Sequence, residues 1–142
     1  MFKLVKIEGA GTNQGEPIRI KTSPGTEYKY GYPYSLFDGF LIPSEAEMRP
    51  THIVLENIGA NEDKESVLCY RILDNMVFEV PVCTSFAKLT VGYKYTLATD
   101  DYGFPIGMTA TTSNGVLMLH DLNGARKKGD TVYVRITTEA SY

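Results

Sequence analysis

The sequence predicts an all-β protein, a compact β-barrel or sandwich built from two related β-units, and three observations carry that expectation. Segments that alternate apolar with polar residues recur along the whole chain. Glycine and proline (13 and 7 residues) punctuate them, and 10 Tyr and 6 Phe favour strands over long helices. The third observation is an internal repeat: Gly31-Tyr32-Pro33-Tyr34-Ser35-Leu36 returns 61 positions later as Gly92-Tyr93-Lys94-Tyr95-Thr96-Leu97. Strands are expected at 2–8, 18–22, 28–37, 52–55, 67–73, 77–82, 93–99, 107–112, 116–119 and 131–137. Turn residues separate them: Gly9 to Gly15, Ser23-Pro24-Gly25, Asp38-Gly39, Ser113-Asn114-Gly115 and Asn123-Gly124. Asn114-Gly115 is the best hairpin signal. One short helical turn is expected near 44–48, where Ser44 and Glu47 have capping-box spacing and Pro50 stops the run.

The repeat extends beyond its core motif. Ile18 to Thr22 corresponds to Phe78 to Val82, Thr51 to Leu55 to Gly115 to Leu119, and the closing strands share Arg71-Ile72 and Arg135-Ile136. With 142 residues the chain is expected to be a single domain, 1–142: a strand or arm with a Gly-rich loop at 2–15, a first unit at 18–73 and a second at 76–137. Units of about 60 residues bury too little surface to stand alone, so one shared core is expected. The N-terminal strand is expected to add to a sheet edge or to cross to a neighbouring subunit, with Phe2, Leu4 and Val5 as its contacts.

Net charge is −3, which gives no general attraction to nucleic acid or an anionic membrane. No run approaches the roughly 18 apolar residues of a spanning helix, and the first residues lack the pattern of a signal peptide. Gly9, Gly11 and Gly15 miss the dinucleotide fingerprint. Gly124 to Thr131 echoes a phosphate loop, but Asp130 stands where the lysine belongs and would repel phosphate. His52 and His120 have no nucleophile context and read as structural histidines. Cys69 and Cys83 read as reduced core thiols. The expectation is no enzyme, no cofactor and no metal.

Two surface features remain. Tyr28, Tyr30, Tyr32 and Tyr34 share one parity, which makes them either an aromatic platform for a sugar or a protein, or a folding element stacked against a partner strand. Arg126, Lys127 and Lys128 form a basic triplet that could touch an acidic surface or simply keep a loop tip soluble.

Val91 to Leu97, Ala110 to Val116 and Lys128 to Arg135, with their Gly-x-x-Tyr-x-Leu opening, Thr-rich hairpin and closing Gly-Asp-x-Val-x-Val-Arg strand, resemble the small capsid decoration or cement proteins of tailed bacteriophages. The first unit and Phe2 to Lys6 are compatible with the same likeness. The resemblance implies a non-enzymatic virion protein on the capsid exterior, partnered by the major capsid protein and assembled as a homo-oligomer such as a trimer. Without a phage origin, the expected location is the cytoplasm of a bacterium. The alternative is a β-sheet carbohydrate- or protein-binding module using the tyrosine-rich strand.

Overall fold

The computed structural model describes residues 1–8, 16–85 and 88–137. Among them are twelve strands and no helix. The first unit contains β2 (Ile18–Thr22), β3 (Pro33–Phe37), β4 (Phe40–Pro43), β5 (His52–Val54) and β6 (Ser66–Arg71), which close into a barrel in the order β2-β4-β3-β5-β6. Only β2 and β4 run parallel. The remaining strands are β1 (Lys3–Ile7), β7 (Met76–Pro81), β8 (Lys94–Tyr95), β9 (Leu97–Thr99), β10 (Pro105–Met108), β11 (Leu117–Asp121) and β12 (Thr131–Ile136). Five of these form a sheet in the order β1-β7-β12-β11-β8. The β9–β10 ribbon leads back to β7 through a parallel bridge between Val82 and Met108.

The repeated motif does the same work in both halves. Gly31 (φ 80°) and Gly92 (φ 92°) adopt the left-handed conformation that a side chain would strain. Their N–H groups donate to Val54 O and Leu119 O, each at 2.8 Å, and Val54 and Leu119 return bonds to Tyr32 O and Tyr93 O. The second motif tyrosine, Tyr34 or Tyr95, is buried, and its phenol oxygen accepts the N–H five residues upstream, Lys29 at 2.9 Å and Thr90 at 2.8 Å.

The later elements correspond one residue away from the alignment that the sequence suggests. Tyr34 pairs with His52 and Tyr95 with Leu117; His52 pairs with Arg71 and Leu117 with Ile136. Arg71 therefore stands where Ile136 does, and the shared Arg-Ile is out of register. A one-residue slip turns a side chain to the other face, so Arg71 and Arg135, aligned in sequence, occupy opposite faces of their ladders.

The boundaries of several elements differ from the sequence reading. The expected strand 28–37 is only β3: Gly31 and the bond from Tyr32 N to Lys29 O make a turn that breaks the period of two. Strand β4 was not expected, because Phe40-Leu41-Ile42 is an unalternating apolar run before Pro43. Asp38 and Gly39 both have positive φ (51° and 84°) and form a two-residue hairpin loop between β3 and β4. Asn114-Gly115 does turn the chain, with Gly115 N bonded to Thr112 O, but β10 and β11 on either side do not pair with each other. Residues 44–48 hold one turn, closed by Met48 N to Glu45 O. The Gly9 to Gly15 segment lies outside the described residues.

The buried apolar residues form two clusters, and both draw on the two units. Tyr28, Tyr34, Leu41, Val54, Val67 and Cys69 fill the closed barrel, with Phe104 reaching in from the second half. The larger cluster gathers Phe2, Ile7, Met76, Phe78, Leu117, Leu119, Val132 and Val134, and takes Ile53, Tyr70 and Ile72 from the outer face of the first barrel. Alternation along β5 and β6 supplies both clusters: Val54, Val67 and Cys69 point inward, and Ile53 and Tyr70 point outward.

Candidate functional site

The four tyrosines do not make a platform. Tyr28 and Tyr34 are buried and stack inside the barrel with ring centroids 5.0 Å apart. Tyr28 donates to Leu41 O (2.6 Å) and accepts from Ser23 N (2.8 Å). Tyr32 is half-buried, and Tyr30 alone is exposed. The turn at Gly31 separates their faces.

Nor does the N-terminal segment leave the molecule. Phe2 is buried, Leu4 and Val5 are half-buried, β1 pairs antiparallel with β7, and Phe2 N donates to Gly31 O. Of the two expected fates for this strand, it takes the sheet edge. Behind it, Glu8 Oε1 lies 2.6 Å from Arg135 Nη2, 3.0 Å from His120 Nε2 and 4.0 Å from Lys6 Nζ. The Arg135 guanidinium is the chief reason the Glu8 carboxyl titrates below the usual range.

Arg126, Lys127 and Lys128 are exposed on the loop before β12. Asp130 organises that loop: its Oδ2 accepts the N–H groups of Arg126 (2.9 Å) and Lys127 (3.2 Å). The carboxylate at the would-be lysine position thus staples a turn. Cys69 is buried, which pushes its thiol up to about 11, whereas Cys83 is half-buried; neither is in a disulfide.

A surface with more chemical content lies where β3, β5 and β6 meet the end of β12. A cavity of about 640 Å³ opens there between Leu36, Arg49, Thr51, His52, Arg71 and Leu73. Barrel pairing builds it: His52 is directly opposite Arg71 on β6 and Tyr34 on β3, so these side chains share a face. His52 is 5% exposed. Its Nδ1 lies 2.8 Å from Thr51 Oγ1, and that oxygen already accepts from Leu36 N at 2.9 Å. That oxygen also lies 3.4 Å from Tyr34 O, to which its own proton can go, so Nδ1 can either accept from Thr51 or donate to it. Burial, and secondarily the Arg71 charge, lower the His52 pKa, so the ring is neutral near pH 7.

Apolar groups surround this cavity on the outside. Leu36 (48% exposed) and Leu73 (44%) form its walls, and Phe37 (62%) stands beside it at the β3–β4 hairpin. A larger concavity of about 920 Å³ lies on the other side of that hairpin, where Lys21 Nζ sits 5.0 Å from the centre of the Phe40 ring. Sequence reading did not find the first cavity, because Arg49, His52 and Arg71 converge only through the barrel. The signal within reach was Arg71, a charge inside an otherwise apolar strand.

Among the described residues, no group of three or more His, Cys, Asp or Glu is placed to hold a metal ion. Among the same residues, no helix is long and apolar enough to cross a membrane. No family model matches this chain, and no curated protein matches it.

Proposed function

We propose that this chain is a non-enzymatic structural protein of a phage virion, one that binds the outer capsid surface and stabilises the head, with the β3–β4 hairpin and the adjoining cavity as its docking face. The observation that carries the reading is the exposure of large apolar side chains at the end of β3 and around the cavity: Leu36 and Leu73 in its lining, and Phe37 next along the strand. Large apolar side chains presented together on a rigid β element are the usual anchors of protein contacts. Asp38-Gly39 makes the hairpin tight, so little conformational entropy is lost when it docks. The resemblance of the second unit to capsid decoration proteins is what suggests the capsid as the partner. The tyrosine-platform alternative loses its basis, since two of its four rings are inside the barrel.

The test is co-sedimentation of the purified protein with undecorated phage heads. Wild type is expected to bind at a fixed stoichiometry, and Phe37→Ser, which alters an exposed position, to weaken binding tenfold or more. Wild-type protein that stays in the supernatant at every concentration of heads refutes the proposal.

A further inference from the structure

The cavity between β3, β5 and β6 is bordered by two arginines, one histidine and a single carboxylate, Asp74. Arg49 and Arg71 border it, and neither guanidinium has a carboxylate partner among the described residues, although Arg19 and Arg135 each have one. His52 is more than nine-tenths buried against the same cavity. Its Nδ1 is occupied by Thr51, and its Nε2 has no hydrogen-bond partner among the described residues. Asp74, which also borders the cavity, already has a partner of its own. The walls are Leu36, Leu73 and Ile136, so the space is apolar around a cluster of donors.

We infer that this cavity takes the carboxylate side chain of an acidic residue flanked by apolar residues on the partner protein, held by Arg49, Arg71 and His52 in the tautomer that protonates Nε2. The inference rests on the docking role proposed above and names what the docking face recognises. A carboxylate offers two oxygens with several lone pairs, enough to satisfy one or both guanidinium forks and the imidazole N–H. The two guanidinium groups are exposed, so selectivity comes from charge-assisted bonds that a carboxylate can accept and a neutral isostere cannot match. The volume, about 640 Å³, suits one acidic side chain with an apolar neighbour on each side. Two arginines against one partnered Asp74 leave the cavity positive, although the whole chain carries −3. This positive spot on a negative molecule sets the docking register.

The test uses acetyl-Leu-Glu-Leu-amide as a probe, with the Gln peptide as its neutral match, titrated into the intact protein by calorimetry and followed at the ¹⁵N resonances of the His52 ring. The Glu peptide should bind saturably and perturb Nε2. The Gln peptide should bind at least tenfold more weakly, and so should the Glu peptide to Arg49→Gln/Arg71→Gln, a variant at exposed positions whose unchanged circular dichroism certifies the fold. No binding of the Glu peptide at millimolar concentration, equal binding of the two peptides, or an unaffected double variant overturns the inference. Heads separate the two ideas: a double variant that binds them as well as wild type overturns the carboxylate site and leaves the capsid role intact. Wild type that binds the probe in the manner described but not the heads removes the capsid role and supports the site.

Discussion

Replacing Tyr34 with Phe removes a single oxygen from the first barrel and tests whether the repeated motif holds each half together from within. The Tyr34 hydroxyl accepts from Lys29 N at 2.9 Å and donates to Glu27 O at 2.9 Å, so its loss strands a backbone donor and a backbone acceptor. Each stranded partly buried group costs about 1–1.5 kcal/mol, the lower part of the range for unmet hydrogen bonds. The ring stays stacked on Tyr28, so no cavity opens. Tyr34→Phe should therefore lose about 2–3 kcal/mol. The matching Tyr95→Phe, whose hydroxyl accepts only from Thr90 N, should lose about half that. Tyr30→Phe, at an exposed ring, should stay within about 0.5 kcal/mol of wild type. Urea unfolding followed by far-ultraviolet circular dichroism measures all three, with the m-value checking that only stability has changed. A Tyr34→Phe loss below about 0.5 kcal/mol, or a larger loss for Tyr95→Phe, would refute the account of the motif as an internal brace.

Gly115 tests a different physical cause. A Cβ there would lie 2.4 Å from Lys94 C and O and 2.6 Å from Tyr95 N, all backbone atoms of β8, so Gly115→Ala should destabilise by about 3 kcal/mol or more in the same urea assay. Gly124→Ala, with φ of 70° and open space around it, should cost only about 1 kcal/mol, and equal losses at the two positions would contradict the packing argument. Glu8 predicts a pH dependence. Its folded pKa is depressed, chiefly by the Arg135 hydrogen bond, with His120 and Lys6 adding attraction, so its contribution is present above the ordinary carboxyl range and is lost as pH falls through the lowered value. Glu8→Gln should flatten the acid side of the stability profile below about pH 5; an acid limb identical to that of wild type would contradict it.

Much of the fold was legible because a half-buried strand alternates with period two. Residues 18–22 and 131–137 could be placed almost to the residue for that reason. Strand β4 escaped because it is short, apolar throughout and hydrogen-bonded on both sides of the barrel, so its sequence has no polar face. The tyrosine strand misled because parity fixes a face only while the backbone stays extended, and the positive φ of Gly31 ends that extension. Gly115 was rightly marked as special, but the conformational freedom inferred for it belongs to Asn114 (φ 55°), and the glycine itself is needed for its close approach to β8. Of the candidate site, only Arg71, a charge on an otherwise apolar strand, left a trace in the sequence. His52 and Arg71 come together through the pairing of β5 with β6, a long-range outcome that no local pattern encodes, and Arg49 joins them from the loop between β4 and β5.

The placement of β1 also has a consequence for how the chain is made. Its partner β7 lies about 70 residues further along, and Phe2 is anchored to Gly31 on the way. During synthesis the whole first barrel emerges before β7 does, so β1 waits unpaired while its neighbours settle. Pairing so distant in sequence is slow and keeps a strand edge open to the wrong partner in the meantime. Lys3 and Lys6, which place charge at both ends of that strand, guard the edge against pairing with another nascent chain until β7 arrives.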